Sequence, residues 1–246
     1  MRLNGKTAIV TGAASGFGAG IARKFVAEGA KVMIADLNGD GAQTVAEELG
    51  AVACQVDVSD GASVQAMYEA ALAGFGLPDI VVNNAGITHL PQALDYVTEE
   101  DFDRVFAVNC KSVYLTARAF VPGMKARGSG AILNVASTAG VSPRPKLNWY
   151  NASKGWMITA TKAMAVELAP EGIRVNALNP VAGETPLLAS FMGEDTPEMR
   201  SKFLSTIPLG RFSTPEDMGN AAAFLCSDEA SMITGVCMEV DGGRCI

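Results

Sequence analysis

Short apolar runs alternate with longer stretches of helical periodicity along nearly the whole chain. The runs are rich in β-branched residues, apolar on both faces and bounded by Gly, Asp or Asn, which is typical of strands buried in a parallel sheet. Seven runs are predicted as strands: TAIV (7–10), KVMIA (31–35), VACQV (52–56), DIVV (79–82), AILNV (131–135), IRVNAL (173–178) and CMEV (237–240). This alternation predicts an α/β fold, a doubly wound parallel sheet of about seven strands with helices on both faces.

The segments between these strands carry apolar residues at helical spacing. Two of the stripes are Phe17, Ile21 and Phe25, and, in a longer helix, Phe102, Val105, Phe106 and Val113. No linker or change of composition interrupts the alternation, so residues 1–246 are predicted to form a single domain.

Residues 181–213 break the pattern. Pro186, Pro197 and Pro208 exclude one long helix, yet the segment is rich in Leu, Phe and Met. We interpret it as a lid over an apolar pocket, with a surface helical hairpin as the alternative.

Composition narrows the classes of partner. The chain is 49% hydrophobic and 18% charged, with a net charge of −7 and no block of Lys or Arg. Nucleic acids and anionic membranes both favour clustered positive charge, so neither is expected as the main partner. The N-terminal stretch lacks the apolar core of a signal peptide, and no apolar run is long enough to span a bilayer. We therefore expect a cytoplasmic protein.

Cysteine and histidine are too sparse and scattered for a metal centre. The five cysteines show no C-x-x-C spacing, which suits reduced thiols, and no metal site is expected. The single histidine, His89, is interpreted as a polar loop residue rather than a catalyst.

A glycine-rich turn follows the first predicted strand and opens a helix. Gly12, Gly16 and Gly18 would let the backbone approach a pyrophosphate, whose charge then lies at the positive end of the helix. Asp36 ends the second strand, 18 positions beyond Gly18, close to the spacing of about 20 expected for a carboxylate that binds ribose. A plain tight turn and a helix N-cap at Asp36 are the alternatives.

Tyr150 and Lys154 lie four residues apart within WYNASKG (149–155), hence on the same face of a helix. An ammonium beside a phenol favours the phenolate and lowers its pKa towards the range useful for acid–base catalysis. A solvated surface pair is the alternative. Two further residues favour chemistry: Ser137 ends the AILNVAS strand, and Asn109 is a short amide within a helical stretch, where it needs a partner.

Together these motifs resemble the short-chain dehydrogenase/reductase family. The resemblance rests on Gly12-x3-Gly16-x-Gly18, NNAG (83–86), Ser137 and Tyr150-x3-Lys154, and it extends to DGG (241–243), so it covers essentially the whole chain. Within the family the chain is similar to 3-oxoacyl-[acyl-carrier-protein] reductases and to NAD-dependent alcohol dehydrogenases.

The resemblance implies a Rossmann-type fold and hydride transfer between NAD(H) and a small secondary alcohol or ketone. Tyr150 would be the acid–base, Ser137 would hold the substrate oxygen, Lys154 would also bind the nicotinamide ribose, and Asn109 would hold a water for proton relay. Adenine contacts are implied for Asp57 and Val58, a ribose contact for Asn84. The full set of predicted cofactor contacts is Gly12, Ser15, Gly16, Phe17, Gly18, Asp36, Leu37, Asp57, Val58, Asn84, Ala85, Gly86, Tyr150, Lys154, Gly183 and Thr185.

Departures from the family pattern leave rival functions open. Val181 stands where the family often has Gly after the sixth strand, although Thr185 keeps its offset as the expected carboxamide contact. Carrier-protein reductases commonly have a basic residue where this chain has Ser15, and they lack an acid at Asp36. An NADPH-dependent 3-oxoacyl-[acyl-carrier-protein] reductase is therefore the alternative. A non-catalytic dinucleotide sensor is a further one, which the acid–base residues disfavour.

Two last expectations concern the substrate and the assembly. Arg144 and Lys146, just before Tyr150, permit an anionic substrate, but solvated surface charge explains them equally well. A homotetramer is expected, because the helix near 150–169 has more apolar surface than its own sheet can cover.

Overall fold

All 246 residues are described in the computed structural model, which contains one seven-stranded sheet with every strand pair parallel. The strands are β1 (Thr7–Thr11), β2 (Lys31–Asp36), β3 (Val52–Gln55), β4 (Ile80–Asn83), β5 (Gly130–Val135), β6 (Ile173–Pro180) and β7 (Cys237–Val240). Their spatial order is β3-β2-β1-β4-β5-β6-β7. The predicted α/β, Rossmann-type fold is confirmed, and each apolar run proves to be a strand.

Helices cover both faces of this sheet. They are α1 (Gly16–Ala27), α2 (Gly39–Leu49), α3 (Gly61–Phe75), α4 (Glu99–Phe106), α5 (Ser112–Arg127), α6 (Asn148–Leu168), α7 (Leu188–Met192), α8 (Pro197–Leu204) and α9 (Pro215–Cys226). Successive side chains of a strand point to opposite faces. In β1, Ala8 and Val10 therefore join the core formed with α1, α2 and α9, whereas Ile9 joins the core formed with α3, α5 and α6.

Burial on both faces does not extend to the edges of the sheet. Val52 of β3 is 44% exposed, and β7 contains no fully buried residue. Each of these strands has a neighbour on one side only, so burial typical of a parallel sheet applies to the five inner strands and only partly to the two edge strands.

The long helix predicted through Phe102 and Val113 is not regular. It consists of α4 and α5 joined by a π-helical turn at Ala107–Lys111. Such turns insert one extra residue into a helix and often occur at functional sites. Asn109 lies within this turn and is fully buried.

Residues 181–213 form two short helices, α7 and α8, above the carboxyl edge of the sheet. Their apolar side chains make a separate small core, formed by Val181, Leu188, Met192, Phe203, Ile207 and Phe212. A single bridge between Gly183 and Ser213 closes the base of the segment. The expected break into short elements is confirmed, whereas its motion as a lid stays a prediction.

Large apolar side chains remain exposed on α6 and near β7. Val166 is 81% exposed and Met232 is 97% exposed, and Trp156 is also uncovered. No helix combines the length and the hydrophobicity that crossing a bilayer demands. This surface, together with the open edge of β7, is where another copy of the chain would bury apolar area.

We therefore predict a homotetramer. Light scattering at micromolar concentration should give about four times the chain mass of 25.5 kDa, and Val166→Glu should give smaller species because it places a charge in the apolar interface. Val52→Glu, on the opposite edge strand, serves as the matched control and should leave the mass unchanged. A monomeric wild type would contradict this prediction.

Candidate active site

A cavity of about 500 Å³ opens at the carboxyl ends of the strands. The strand order reverses between β1 and β4: the chain runs from β1 outwards to β2 and β3 on one side, and from β4 outwards to β5, β6 and β7 on the other. Ligands bind at such switch points in doubly wound sheets. Sixteen of the residues predicted from the sequence line this cavity: Gly12, Ser15, Gly16, Phe17, Asp36, Leu37, Asp57, Val58, Asn84, Ala85, Gly86, Ser137, Tyr150, Lys154, Gly183 and Thr185. Gly18 and Asn109 lie behind its wall.

The turn between β1 and α1 needs its glycines for two different reasons. Gly12 and Gly16 adopt positive φ angles of 64° and 54°, which side chains disfavour. Gly18 has ordinary backbone angles, but a β-carbon there would overlap the carbonyl oxygen of Gly12 and lie 2.5 Å from Nδ2 of Asn84. Gly18 therefore permits close packing of the turn on α1, while Gly12 and Gly16 face the cavity at the helix N-terminus.

Thr11 and Asn84 hold this turn in place from beneath. The Asn84 amide donates to the carbonyl oxygens of Thr11 (2.8 Å) and Gly12 (3.0 Å), and the Thr11 hydroxyl accepts from the N–H groups of Asn84 and Ala85, both at 3.1 Å. The Asn84 donors are thus used within the protein, which leaves its side-chain oxygen for the predicted ribose contact. Thr11 was missed; its signal was a hydroxyl at the end of an otherwise apolar strand.

Asp36 ends β2 with its carboxylate fixed by two backbone groups. One oxygen accepts from the N–H of Ala14 (3.0 Å) and the other from the N–H of Asn38 (2.9 Å). The N-cap of α2 is Asn38, whose side chain accepts from Gly41, so the capping alternative for Asp36 is wrong. A carboxylate has about four acceptor positions, and Asp36 retains some of them for a ligand in the cavity.

Asp57 has a structural role as well as a place on the wall. One of its carboxylate oxygens accepts from both the N–H (2.9 Å) and the hydroxyl (2.6 Å) of Ser59. It therefore behaves as a turn aspartate, and its adenine contact stays a prediction.

The residues predicted to carry the acid–base chemistry meet where β5 ends against α6. Ser137 follows β5, and Tyr150 and Lys154 occupy the first two turns of α6, so all three are buried against the cavity. The Lys154 ammonium donates to the carbonyl of Val135 at 2.9 Å and lies 5.9 Å from the centre of the Tyr150 ring.

Burial dominates the proton affinities of this pair. Loss of solvent raises the pKa of Tyr150 to about 12, opposed only in part by a hydrogen bond with Ser137. Loss of solvent also lowers the pKa of Lys154 to about 8. In the protein alone the pKa of Tyr150 is thus raised rather than lowered as expected, because desolvation of the phenol dominates.

Asn109 connects three elements behind the pair. Its side-chain oxygen accepts from the N–H of Ile87, and its amide donates to the carbonyl of Ile87 and to the hydroxyl of Ser153, each at 2.9 Å. The π-helical turn, the segment after β4 and α6 are thereby joined one residue before Lys154. A short amide in a helix has its partners here, as expected, and its water-relay role stays a prediction.

Most of the remaining wall is apolar, and part of it comes from the segment over the sheet. Leu187, Phe191 and Phe203 line the cavity from above, opposite Leu147. The Phe191 ring lies 5.1 Å from the Tyr150 ring, centre to centre. The sequence had indicated the segment but not these individual side chains.

The structure also shows the surroundings of two other residues from the sequence analysis, His89 and Val181. His89 does lie in a loop, but it is almost completely buried and does not line the cavity, with Nδ1 2.8 Å from the carbonyl oxygen of Leu90. Val181, which stands where the family often has glycine, lines the cavity, and Gly183 two residues later pairs with Ser213.

Comparison with known proteins places the chain in a family. A family model described as Enoyl-(Acyl carrier protein) reductase matches residues 12–244. The chain is 54% identical to a 4-formylbenzenesulfonate dehydrogenase of Comamonas testosteroni over 99% of both chains. It is 40% identical to a 3-oxoacyl-[acyl-carrier-protein] reductase of Thermotoga maritima over the full length of both. The chain belongs to the short-chain dehydrogenase/reductase family.

A solved structure supports the same conclusion. A 3-ketoacyl-(acyl-carrier-protein) reductase from Brucella melitensis, complexed with NADH, superimposes with a TM-score of 0.95 at 54% identity, covering 99% of this chain and 100% of the other. This short-chain dehydrogenase/reductase is therefore an oxidoreductase that acts on CH–OH groups, as the sequence resemblance implied.

Gly18→Ala should destabilise the protein by about 1–3 kcal/mol, because the new methyl group must displace the Gly12 carbonyl. Gly74→Ala is the matched control: nothing lies within 4 Å of a β-carbon there, and the residue is inside α3. This control should gain about 0.5–1 kcal/mol. Urea unfolding measures both, and equal effects of the two substitutions would contradict the packing role of Gly18.

Proposed function

We propose that this short-chain dehydrogenase/reductase transfers hydride between NAD(H) and a small secondary alcohol or ketone, with Tyr150 as the acid–base. The observation that carries the proposal is the arrangement of one continuous cavity. It runs from Asp36 and the glycine turn to the buried hydroxyl groups of Ser137 and Tyr150.

The residues of the chain fit a dinucleotide. Gly12 and Gly16 leave the cavity free of side chains at the N-terminus of α1, where a pyrophosphate is favoured by the helix dipole and free N–H groups. Gly183 and Thr185 would hold the nicotinamide end, and Asp57 and Val58 the adenine end. The relative from Brucella melitensis is complexed with NADH. When bound, the nicotinamide accepts or supplies the hydride.

The protein's own groups would manage the proton. For oxidation of an alcohol R2CHOH, Ser137 orients the substrate oxygen and the Tyr150 phenolate accepts its proton as hydride leaves the carbon, giving R2C=O. For reduction, the Tyr150 phenol donates that proton to the carbonyl oxygen. Because burial raises the pKa of Tyr150 to about 12, the phenol keeps its proton at neutral pH and is ready for reduction. The buried Lys154 ammonium favours the phenolate that oxidation needs.

Tyr150→Phe should reduce turnover by about 10²–10⁴-fold or more, because the ring still packs on Phe191 while the proton donor is lost. Binding of NADH, followed by its fluorescence, should be nearly unchanged.

Tyr114→Phe is the matched control, since Tyr114 is 53% exposed on α5 and outside the cavity. Its activity should equal that of the wild type. Turnover of the Tyr150→Phe variant within threefold of wild type would assign the acid–base role to another group.

Preference for NAD(H) over NADP(H) follows from Asp36. The carboxylate can accept from both ribose hydroxyl groups of NAD, whereas the 2′-phosphate of NADP adds nearly two negative charges beside it. At 4 Å and an effective dielectric constant of 20, each pair of unit charges repels by about 4 kcal/mol before relaxation. The neighbouring side chains Ser15, Leu37 and Asn38 carry no charge, and the only cations that line the cavity are Lys154 and Arg144.

We therefore expect at least about 10²-fold higher kcat/KM with NAD(H) than with NADP(H), since half of one such repulsion already gives roughly 30-fold. Asp36→Ala should lower the efficiency with NAD and narrow this gap. Asp40→Ala, at an exposed acid four residues along the chain, is the matched control. It should change neither the efficiency with NAD nor the preference for NAD(H) over NADP(H). Steady-state kinetics with both cofactors measure the effect.

The same measurement decides between the two enzymatic functions. Relatives named as 3-oxoacyl-[acyl-carrier-protein] reductases favour that activity as the second candidate. A wild type that uses NADPH as well as NADH would show that Asp36 does not face the ribose, and the carrier-protein reductase would become the first candidate. A dinucleotide sensor would have no need of Ser137, Tyr150 and Lys154 in one cavity.

A further inference from the structure

Charge is distributed unevenly along the cavity. Four ionisable side chains with a charge at neutral pH line it: Asp36, Asp57, Lys154 and Arg144. The two acids end β2 and follow β3, on the side of the glycine turn, and Lys154 donates to the carbonyl of Val135. Arg144 is therefore the single charged group on the side formed by α7, α8 and the segment before α6.

The Arg144 guanidinium has no anionic partner within the protein. It stacks over the Phe203 ring, with Cζ 4.1 Å from the ring centre, and one of its N–H groups donates to the Thr206 hydroxyl at 3.2 Å. No carboxylate lies within 4.0 Å of it. Burial, together with the nearby Arg244, lowers its pKa to about 10, so it is still a cation at neutral pH.

Arg144 is also held in position from the catalytic helix. The amide of Asn151, the residue after Tyr150, donates to the Arg144 carbonyl oxygen at 2.7 Å. The guanidinium of Arg244 donates to the Ser142 hydroxyl at 3.1 Å, which fixes the same segment from the C-terminal side. Lys146, two residues away, is fully outside the cavity and exposed. The structure thus separates the two cations that the sequence could not distinguish.

A half-buried, fixed guanidinium without a counter-ion is costly unless a ligand supplies the anion. Its planar group of donors matches a carboxylate or sulfonate. Leu147, Leu187 and Phe191 make much of the surrounding wall apolar, and the polar lining residues near Arg144, namely Thr138, Ser142 and Asn151, are uncharged.

We propose that the substrate carries an anionic carboxylate or sulfonate group on an apolar ring, and that Arg144 binds this anion while its CH–OH group meets Ser137 and Tyr150. This inference rests on the proposed function for the reacting group, but the anion site stands on Arg144 itself. Arg144 is a specificity-determining residue, outside the proton transfer.

The test compares α-methylbenzyl alcohol with its para-carboxylate and para-sulfonate derivatives, followed by NADH absorbance. The wild type should have kcat/KM roughly 100-fold higher for the two anions than for the neutral parent. Arg144→Gln should remove most of this advantage through KM, with kcat within threefold, because the anion contact is the same in the ground and transition states. Unchanged binding of NADH, followed by its fluorescence, shows that the variant is folded.

Two matched variants sharpen the comparison. Arg144→Lys keeps the charge but not the planar donor group, and should restore part of the advantage. Lys146→Gln removes an equal charge two residues away, outside the cavity, and should leave all three substrates unchanged. An equal loss in Lys146→Gln and Arg144→Gln would indicate a general field rather than a site and would overturn the inference.

Binding of benzoate and benzenesulfonate to the enzyme–NADH complex, followed by NADH fluorescence, separates this inference from the proposed function. If the Arg144→Gln variant no longer binds benzoate or benzenesulfonate, the anion site is supported, even when none of the alcohols is oxidised. In that case only the proposed function fails. If the wild type oxidises the neutral parent as fast as the anionic derivatives and binds neither benzoate nor benzenesulfonate, the proposed function stands and the inference is overturned. Arg144 would then serve only to hold Phe203 of α8.

Discussion

The burial of a phenol and an ammonium side by side, at the carboxyl edge of the sheet, is the constraint on which the rest of the site depends. Removing either group from water is costly, and the pKa values of Tyr150 and Lys154 move in opposite directions because of it. The Val135 carbonyl offsets part of this cost at Lys154 by accepting its hydrogen bond, and Ser137 opposes the rise in the pKa of Tyr150. Asn109 does not touch either group but ties the helix that carries them to the segment after β4 through Ser153 and Ile87. Asn109 lies in the π-helical turn between α4 and α5 and donates to Ser153 of α6, so an irregularity in one helix helps to position the helix that carries Tyr150 and Lys154.

Much of this architecture can be predicted from the sequence because it depends on local patterns. Strand positions follow from apolar runs, since a strand covered on both faces admits few polar residues. The glycine turn is legible because backbone proximity and positive φ leave glycine as the residue that fits at Gly12 and Gly16. Even the spacing of Tyr150 and Lys154 required only the period of a helix.

What the sequence could not supply depends on contacts between distant segments. The inward-facing amide of Asn84 is determined by the Thr11 and Gly12 carbonyl groups, more than seventy residues earlier in the chain. The balance between desolvation and attraction at Tyr150 depends on how α7 and α8 cover the cavity, which no periodicity encodes. The same holds for Arg144 and Lys146, whose different surroundings emerge only when the segment before α6 packs against Phe203.

The two halves of the cavity have different origins in the chain, and this has an evolutionary consequence. The end of the cavity at Asp36 and the glycine turn is formed at strand ends that are packed into the core, whereas the opposite end is formed by connections: α7, α8 and the segment around Arg144. Mutations in those connections can alter which ligands the cavity admits while leaving Ser137, Tyr150 and Lys154 in place. Homologues of this chain carry names that refer to quite different substrates, a sulfonated aromatic aldehyde in one and a carrier-bound acyl chain in another. Such divergence is what a site allows when its substrate end is built from connections outside the core of the sheet.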